Sequence, residues 1–231
     1  MNGRLRLPSA TKPVRLRTNR ERASVSCACK CRYHDEMMPM NKSAKIVKEE
    51  EFKRLLKWVG QGRQRHRNTA VILLSFKAGL RACEIAGLDW SMVTTGGGAL
   101  SDSIAIGGSI AKNGRARRVP LHPQLRAALA TLRASAGKPR TGPVIRSQRG
   151  GHLTAGSVVN WFTGLYAGVG FQGCSSHSGR RTFITNSARM VAKVGGCLRD
   201  VQELAGHSAL TTTAAYIEGD TDAQRKLVRL L

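Results

Sequence analysis

The sequence predicts a mainly helical α+β fold with one small antiparallel β-hairpin at its edge. Apolar residues recur at helical spacing through most of the chain, and they alternate only over residues 103–121. Asn113-Gly114 lies inside that alternating stretch. Helices repeat every 3.6 residues and strands every two, so the two spacings separate the elements. A chain of 231 residues is long enough for one large domain with a sizeable core.

Two helices are predicted before the hairpin. The first has acidic residues at 49–51, near its start, and Gly60 just past its end. A second, apolar helix reaches Ala78, and Gly79 ends it, so Arg81 is expected at a junction between helices. The apolar stripe of the first helix consists of Phe52, Leu55, Leu56 and Val59.

The hairpin prediction rests on Asn113-Gly114, because Asn-Gly between alternating runs is a strong hairpin signal. Lys112 directly precedes this turn and Arg115, Arg117 and Arg118 follow it. Such a basic tip is either a probe for a groove or an ordinary solvated turn. The alternating apolar residues are Ile104, Ile106 and Ile110 before the turn, and Val119 and Leu121 after it.

The chain after Pro123 is predicted to be mainly helical. Three further stripes have the spacing of one helix face. The last segment, 221–231, places three apolar residues on one face of a short helix. The stripes are Leu125, Ala128, Leu129 and Leu132; Val158, Trp161, Phe162 and Leu165; Leu198, Val201, Leu204 and Ala205; and, in the last segment, Ala223, Leu227 and Leu230.

The charge balance predicts a polyanionic partner. Lys and Arg number 38 against 14 Asp and Glu, a formal net charge of +24. Binding of basic side chains to phosphates releases counterions, so nucleic acid is the first candidate. A membrane surface is the competing candidate, but the sequence has no apolar run of membrane-spanning length and no evident basic amphipathic helix. No membrane partner is therefore expected.

The six cysteines do not form a disulfide framework. Cys27, Cys29, Cys31 and His34 could bind a metal, but they lack the paired Cys-x-x-Cys of a structural zinc site, so no metal is expected. Residues 1–40 hold nine Lys or Arg and three acids without periodicity, which predicts a basic, disordered arm. An organellar transit peptide and an untranslated extension ahead of Met40 remain open alternatives.

Four local patterns in the sequence together suit chemistry on a phosphodiester. They contain Arg81, then Lys112, then His177 with Arg180, and finally Tyr216. Rigid arginine forks at Arg81 and Arg180 match the charge that collects on phosphate oxygens during attack. His177 lies three residues before Arg180, so on a helical turn both project from one face. The Tyr216 phenol ionises near pH 10 and needs a base or positive field to act as a nucleophile. Lys112 is a candidate general acid for the leaving oxygen.

In combination these patterns resemble the tyrosine recombinases of the phage integrase family, over about residues 46–218. The order and spacing of the motifs are specific together, whereas any one alone is weak. The matching text is Gly79-Leu-Arg81-x-x-Glu84-Ile85, Lys112-Asn-Gly-x-x-Arg-x-Val-Pro, His177-x-x-Arg180 with Thr182-Phe183, and Leu-x-Gly-His207 with Tyr216.

The resemblance implies a tyrosine-recombinase catalytic domain over 41–220 that cuts and rejoins double-stranded DNA in site-specific recombination and integration. Tyr216 would attack the phosphate to form a 3′-phosphotyrosyl bond, and Arg81 and Arg180 would hold that phosphate. Lys112 would protonate the leaving oxygen.

The family also implies that His177 assists proton transfer and His207 hydrogen-bonds the phosphate, without metal or cofactor. A bacterial, cytoplasmic, nucleoid-associated protein of a mobile genetic element is expected, acting as a tetramer on two DNA sites. In that assembly residues 221–231 are the candidate segment exchanged between protomers.

Two departures from the family pattern lie beside the second arginine. Arg181 stands where a His or Lys is usual, and Gly179 stands where an apolar residue is usual and is expected to loosen the local helix. The forty-residue arm is also too short for the helical core-binding domain that usually precedes the catalytic domain. An accessory DNA-bending or core-binding partner is therefore a further expectation.

Two other functions compete with recombination. A type IB topoisomerase uses similar tyrosine chemistry to relax DNA without exchanging strands. A DNA-binding accessory protein that no longer cleaves would keep the basic surface and lose the reaction.

Overall fold

The computed structural model describes residues 44–112, 114–216, 225, 228 and 229. The described part is mainly helical with one two-stranded antiparallel sheet, which confirms the predicted fold class. Its elements are α1 (Glu49–Gly60), α2 (Arg65–Lys77), α3 (Ala82–Gly87), β1 (Ser103–Ile106), β2 (Arg117–Pro120), α4 (Pro123–Ser135), α5 (Ala155–Gly168), α6 (Ser178–Met190), α7 (Leu198–Ala205) and α8 (Leu210–Ala214). Two short 3₁₀ turns follow α3 and α6.

Some sequence predictions lie outside the described residues. They concern the arm over residues 1–40 with its Cys27–His34 pattern, and the apolar face of the 221–231 segment. The domain boundaries at 41 and 220 likewise stay predictions.

Helix α2 is the central helix of the core. Residues 70–76 are all buried, and α2 packs against α1, α4 and α6. A helix that is buried all round has no polar face, which explains the nearly continuous apolar sequence. Because α2 ends at Lys77, the turn carrying Gly79 and Arg81 is attached directly to a helix buried in the core.

The predicted hairpin forms, but its strands are shorter than the alternation suggested. β1 pairs with β2 from Ser103 opposite Pro120 to Ile106 opposite Arg117, and a ten-residue loop, 107–116, connects them. The prediction that Ile110 continues the strand pattern is wrong. The backbone turns at Gly107, whose carbonyl accepts from the N–H of Ile110, and the Ile110 side chain packs against Gly87 at the end of α3.

Gly179 was expected to loosen the start of α6, and this expectation is wrong. α6 is continuous from Ser178, and Gly179 is buried where α6 meets α2. A Cβ atom there would lie 2.7 Å from the Phe76 ring and would also collide with the Ser75 hydroxyl. The glycine therefore allows a close approach of two helices, which any larger side chain would block.

We expect Gly179→Ala to destabilise the fold by about 2 kcal/mol, because overpacking a close helix contact costs more than the gain in helix propensity. Gly164→Ala is the matched control, since Gly164 lies exposed in α5 with no atom within 4 Å of an added Cβ. This control should raise the free energy of unfolding by about 0.5–1 kcal/mol. Urea denaturation of both variants measures the difference, and a stabilised Gly179→Ala would contradict the packing argument.

Candidate active site

Arg180 lies at the centre of the candidate site and is 3% exposed. From the first turn of α6, its guanidinium donates to the carbonyl of Gly79 and, at 2.6 Å, to the carbonyl of Ala205. It also contacts Nε2 of His207 at 3.0 Å. Burial, followed by repulsion from the charge of Arg81, lowers the pKa of Arg180. Contacts with two distant chain segments thus hold a buried cation in one orientation.

Arg81 occupies the N-cap of α3, at the helix junction predicted from Gly79. Gly79 has φ +62°, and the ring of Phe183 fills the space that its Cβ would occupy. The Arg81 backbone N–H and guanidinium donate to the two oxygens of Glu84, at 2.8 and 3.2 Å. Its Nη2 lies 3.4 Å from the carbonyl oxygen of Gly206. Arg81 is therefore tied to its own helix and to the segment before His207.

Glu84 is fully buried and forms a two-point ion pair with Arg117, at 2.7 and 2.9 Å. Burial alone would raise the pKa of Glu84, but Arg117 and the N–H and charge of Arg81 hold it below its usual value. The sequence analysis placed Arg117 among the basic residues of the hairpin and within the motif that begins at Lys112, but gave it no role in the site. One signal could have distinguished Arg117 from the other basic residues of the hairpin. It lies two residues before buried Val119, and side chains two apart point to the same side of a β-strand.

His207 is buried, and both of its ring nitrogens have partners. Because an arginine can only donate, Nε2 must accept from Arg180 at 3.0 Å, so the proton lies on Nδ1 and is donated to the Thr213 hydroxyl at 2.9 Å. Burial, followed by the charges of Arg180, Arg81 and Arg117, lowers the pKa of His207 to about 4. The imidazole is therefore neutral at pH 7. Thr213, in α8, was not identified from the sequence.

We expect the free energy of unfolding to fall as the pH is lowered from 6.5, the ordinary His value, to about 4, the pKa of folded His207. Between these pH values the imidazole of residue 207 is protonated in the unfolded chain and neutral in the folded protein, so the free energy of unfolding rises with pH. The contribution is on the order of 2 kcal/mol. Urea denaturation at several pH values should show a smaller slope for His207→Gln. An unchanged slope would contradict the assignment of His207 as a buried neutral imidazole.

Tyr216 follows α8 and borders a cavity of about 360 Å³. Its ring stacks on His207 with centroids 5.4 Å apart, and the Arg181 guanidinium lies 5.8 Å from its centroid. The Tyr216 carbonyl accepts from the Thr185 hydroxyl at 3.1 Å. Arg181, which departs from the family pattern, thus faces Tyr216, the candidate nucleophile. The cavity is lined by Ala44, Gly173, Ser175, His177, Arg180, Arg181 and Tyr216.

His177 forms the N-cap of α6 and is exposed on one side. Partial loss of solvent, followed by the charges of Arg180, Lys112 and Arg81, lowers the pKa of His177. Lys112 is exposed in the 107–116 loop, close enough to contribute to this effect. The structure thus brings four of the six predicted site residues, His177, Arg180, His207 and Tyr216, into mutual contact or onto one cavity. Arg81 is linked to them through the carbonyl of Gly206, and Lys112 lies nearby without a described contact.

The described residues contain no group of three or more His, Cys, Asp or Glu side chains arranged to hold a metal ion. In the same part of the chain, no helix is long and apolar enough to cross a membrane.

The cluster combines two arginines, two histidines and a tyrosine, which are residue types suited to a phosphodiester. Comparison with known proteins identifies the family. The sequence model of the phage integrase family matches residues 45–222, so the chain belongs to that family and the resemblance is confirmed. Tyrosine recombinase XerC of Brucella suis is 37% identical over 163 residues, covering 67% of this chain and 47% of that protein. XerC of Pelobacter propionicus is 30% identical over 158 residues, covering 68% and 49%. The chain spans about half the length of these relatives.

Solved structures share the fold. The crystal structure of XerA recombinase superposes with a TM-score of 0.64 at 21% identity, over 82% of this chain and 66% of that one. The Tn1549 transposon integrase in complex with circular intermediate DNA gives 0.65 at 17% identity, over 83% and 69%.

Proposed function

We propose that this chain carries the cleaving and rejoining centre of a site-specific DNA recombinase. The observation that carries the proposal is that a tyrosine, a buried arginine and a histidine line one cavity, with Arg81 linked to the same cluster. Tyr216 is the nucleophile, and Arg81 and Arg180 hold the phosphate through their guanidinium forks.

The reaction is a balanced exchange of phosphate esters. The Tyr216 oxygen bonds to phosphorus, the bond to the 5′-oxygen breaks, and the energy of the broken bond is kept in the 3′-phosphotyrosyl linkage. The lowered pKa of His177 favours the neutral imidazole that can accept the phenol proton. Lys112 then donates a proton to the 5′-oxygen. Reversal of these steps rejoins the strand without a cofactor.

His207 has to change its hydrogen bonds to serve this reaction. Its Nε2 accepts from Arg180, whereas a phosphate oxygen needs a donor. When Arg180 turns its N–H toward the phosphate, Nε2 is freed, and a shift of the proton from Nδ1 to Nε2 makes it a donor. The Thr213 hydroxyl supports this shift because it can accept from Nδ1 or donate to it.

Double-stranded DNA is the proposed partner. The net charge of +24 supports it, and related structures include the XerH recombinase bound to difH and a lambda integrase dimer bound to a COC′ core site. Assembly as a tetramer on two sites, with exchange of the 221–231 segment, belongs to the same proposal.

A covalent adduct tests the chemistry. Because the target is unknown, the full chain is incubated with a pool of duplexes of random sequence, each carrying a nick that lets a short 5′-hydroxyl fragment leave after cleavage. We expect a protein–DNA adduct on a denaturing gel and a common sequence in the DNA recovered from it. We also expect duplex affinity to fall steeply with salt, in proportion to the phosphates contacted.

The products distinguish the alternatives. Recombinant molecules from two copies of the recovered sequence support recombination, and relaxed circles alone support topoisomerase activity. Salt-dependent binding without adduct would reject the proposed chemistry in favour of a non-cleaving DNA-binding protein.

A further inference from the structure

Three successive backbone carbonyls at the end of α7 each accept from a different arginine. The oxygen of Leu204 accepts from Nε of Arg117 at 3.1 Å, that of Ala205 from Arg180 at 2.6 Å, and that of Gly206 from Arg81 at 3.4 Å. The last carbonyls of a helix lack intrahelical partners and carry its negative dipole end, so they attract cations. We call these three carbonyl groups the α7 carbonyl row.

Arg117 and Arg81 are also joined through Glu84. Nη1 of Arg117 and Nη1 of Arg81 share one carboxylate oxygen, at 2.7 and 3.2 Å. Nη2 of Arg117 and the backbone N–H of Arg81 share the other, at 2.9 and 2.8 Å. The side chain of Arg117 is 8% exposed and that of Glu84 is 0% exposed. The pair is therefore shielded from water, and a shift of Arg117 would disturb Arg81 directly.

Gly206 leaves room for Arg117. A Cβ at Gly206 would lie 2.9 Å from Cδ and 3.0 Å from Nη1 of Arg117, so the Arg117 side chain occupies the space that a side chain at this position would need. The φ of +64° at Gly206 also favours glycine and ends α7. The glycine of the Leu-x-Gly-His motif thus meets two requirements at once.

We propose that Arg117 is a positioning residue for phosphoryl transfer, one that sets Arg81 through Glu84 and braces the α7 carbonyl row on which Arg81 and Arg180 rest. This inference rests on the proposed function. Arg117 belongs to β2, directly after the loop that carries Lys112, so it also connects that loop to the phosphate-binding arginines. Arg117 does not touch the phosphate.

The test is the single-turnover rate of adduct formation at saturating DNA, with the sequence recovered by the full chain. Arg117→Gln should slow cleavage about 100-fold while duplex affinity changes by less than about threefold, because misplacing a reacting group by about 1 Å has an effect of this size. Arg117→Lys keeps the charge and loses the two-point pairing and the bond to Leu204, so we expect a loss of about tenfold.

Arg126→Gln is the matched control. Arg126 also pairs with a carboxylate, Asp102, and donates to two backbone carbonyls, but on an exposed surface between α4 and β1. Its cleavage rate should stay within about twofold of wild type, as expected for an exposed pair. If Arg117→Gln does not fold, as circular dichroism would reveal, Arg117→Lys carries the test alone.

Either of two cleavage results would overturn the proposal. An Arg117→Lys variant that cleaves at the wild-type rate would mean that positive charge suffices, and an Arg117→Gln variant that loses only DNA affinity would mean direct DNA contact. If wild type forms no adduct, the proposed function fails separately. In that case the positioning role of Arg117 is tested by adding inorganic phosphate to each protein and measuring its affinity from the shift of the His207 imidazole resonances. Wild type and Arg126→Gln should bind alike and Arg117→Lys at least about fivefold more weakly, and equal binding by all three would overturn it.

Discussion

Tyr216→Phe should abolish the covalent protein–DNA adduct, with residual formation at least about 10³-fold below wild type, because the attacking oxygen is removed. Duplex affinity should change little, since the ring remains available to stack on His207 and to face Arg181. The measurement is adduct yield against time on a denaturing gel, with duplex binding measured in parallel.

Tyr166→Phe is the matched control for this experiment. The Tyr166 hydroxyl is buried in α5 without a hydrogen-bond partner, and burial raises its pKa. Its removal should leave the adduct yield unchanged and the fold at least as stable, because an unpaired buried hydroxyl is lost. Adduct formation by Tyr216→Phe at the wild-type rate would reject Tyr216 as the nucleophile.

Arg180→Lys should lower the cleavage rate by about 10²–10³-fold at saturating DNA. A lysine keeps one positive charge, but a single ammonium cannot reach the carbonyls of Gly79 and Ala205, His207 and a phosphate together. The buried carbonyls would also lose donors, so we expect a drop in the free energy of unfolding of about 1–3 kcal/mol.

Arg189→Lys tests whether the effect is specific to the site. Arg189 lies exposed in the last turn of the same helix, and its substitution should leave both the cleavage rate and the stability nearly unchanged. A cleavage rate for Arg180→Lys equal to that of Arg189→Lys would contradict the role of Arg180 in holding the phosphate.

Much of the fold could be predicted because its signals are local. The stripe of α1, the nearly continuous apolar run of α2 and the break at Gly79 each depend on residues within a few positions of one another, and the structure agrees with them. The hairpin was predicted for the same reason. Its loop was not, because the turn at Gly107 depends on Ile110 packing against α3, more than twenty positions earlier in the chain.

The candidate site was predicted in a different way. His177 and Arg180 are adjacent on one turn, but no local pattern requires Arg81 and Tyr216 to lie near them. That they share one site was predicted only from the order of the motifs and their resemblance to a family. The meeting itself depends on Arg180, which donates to the carbonyls of Gly79 and Ala205, two residues far apart in the sequence.

By itself, the sequence determined the helical class, the hairpin, the basic charge and the residue types suited to phosphate chemistry, since all of these follow from composition and short-range spacing. Only the tertiary structure decided that Arg117 is a partner of Glu84, that Gly179 is a helix contact and that Thr213 holds His207. Each is a contact between segments far apart in the chain. Burial makes such contacts selective, because a buried charge or hydroxyl requires a partner and a close-packed backbone excludes a side chain.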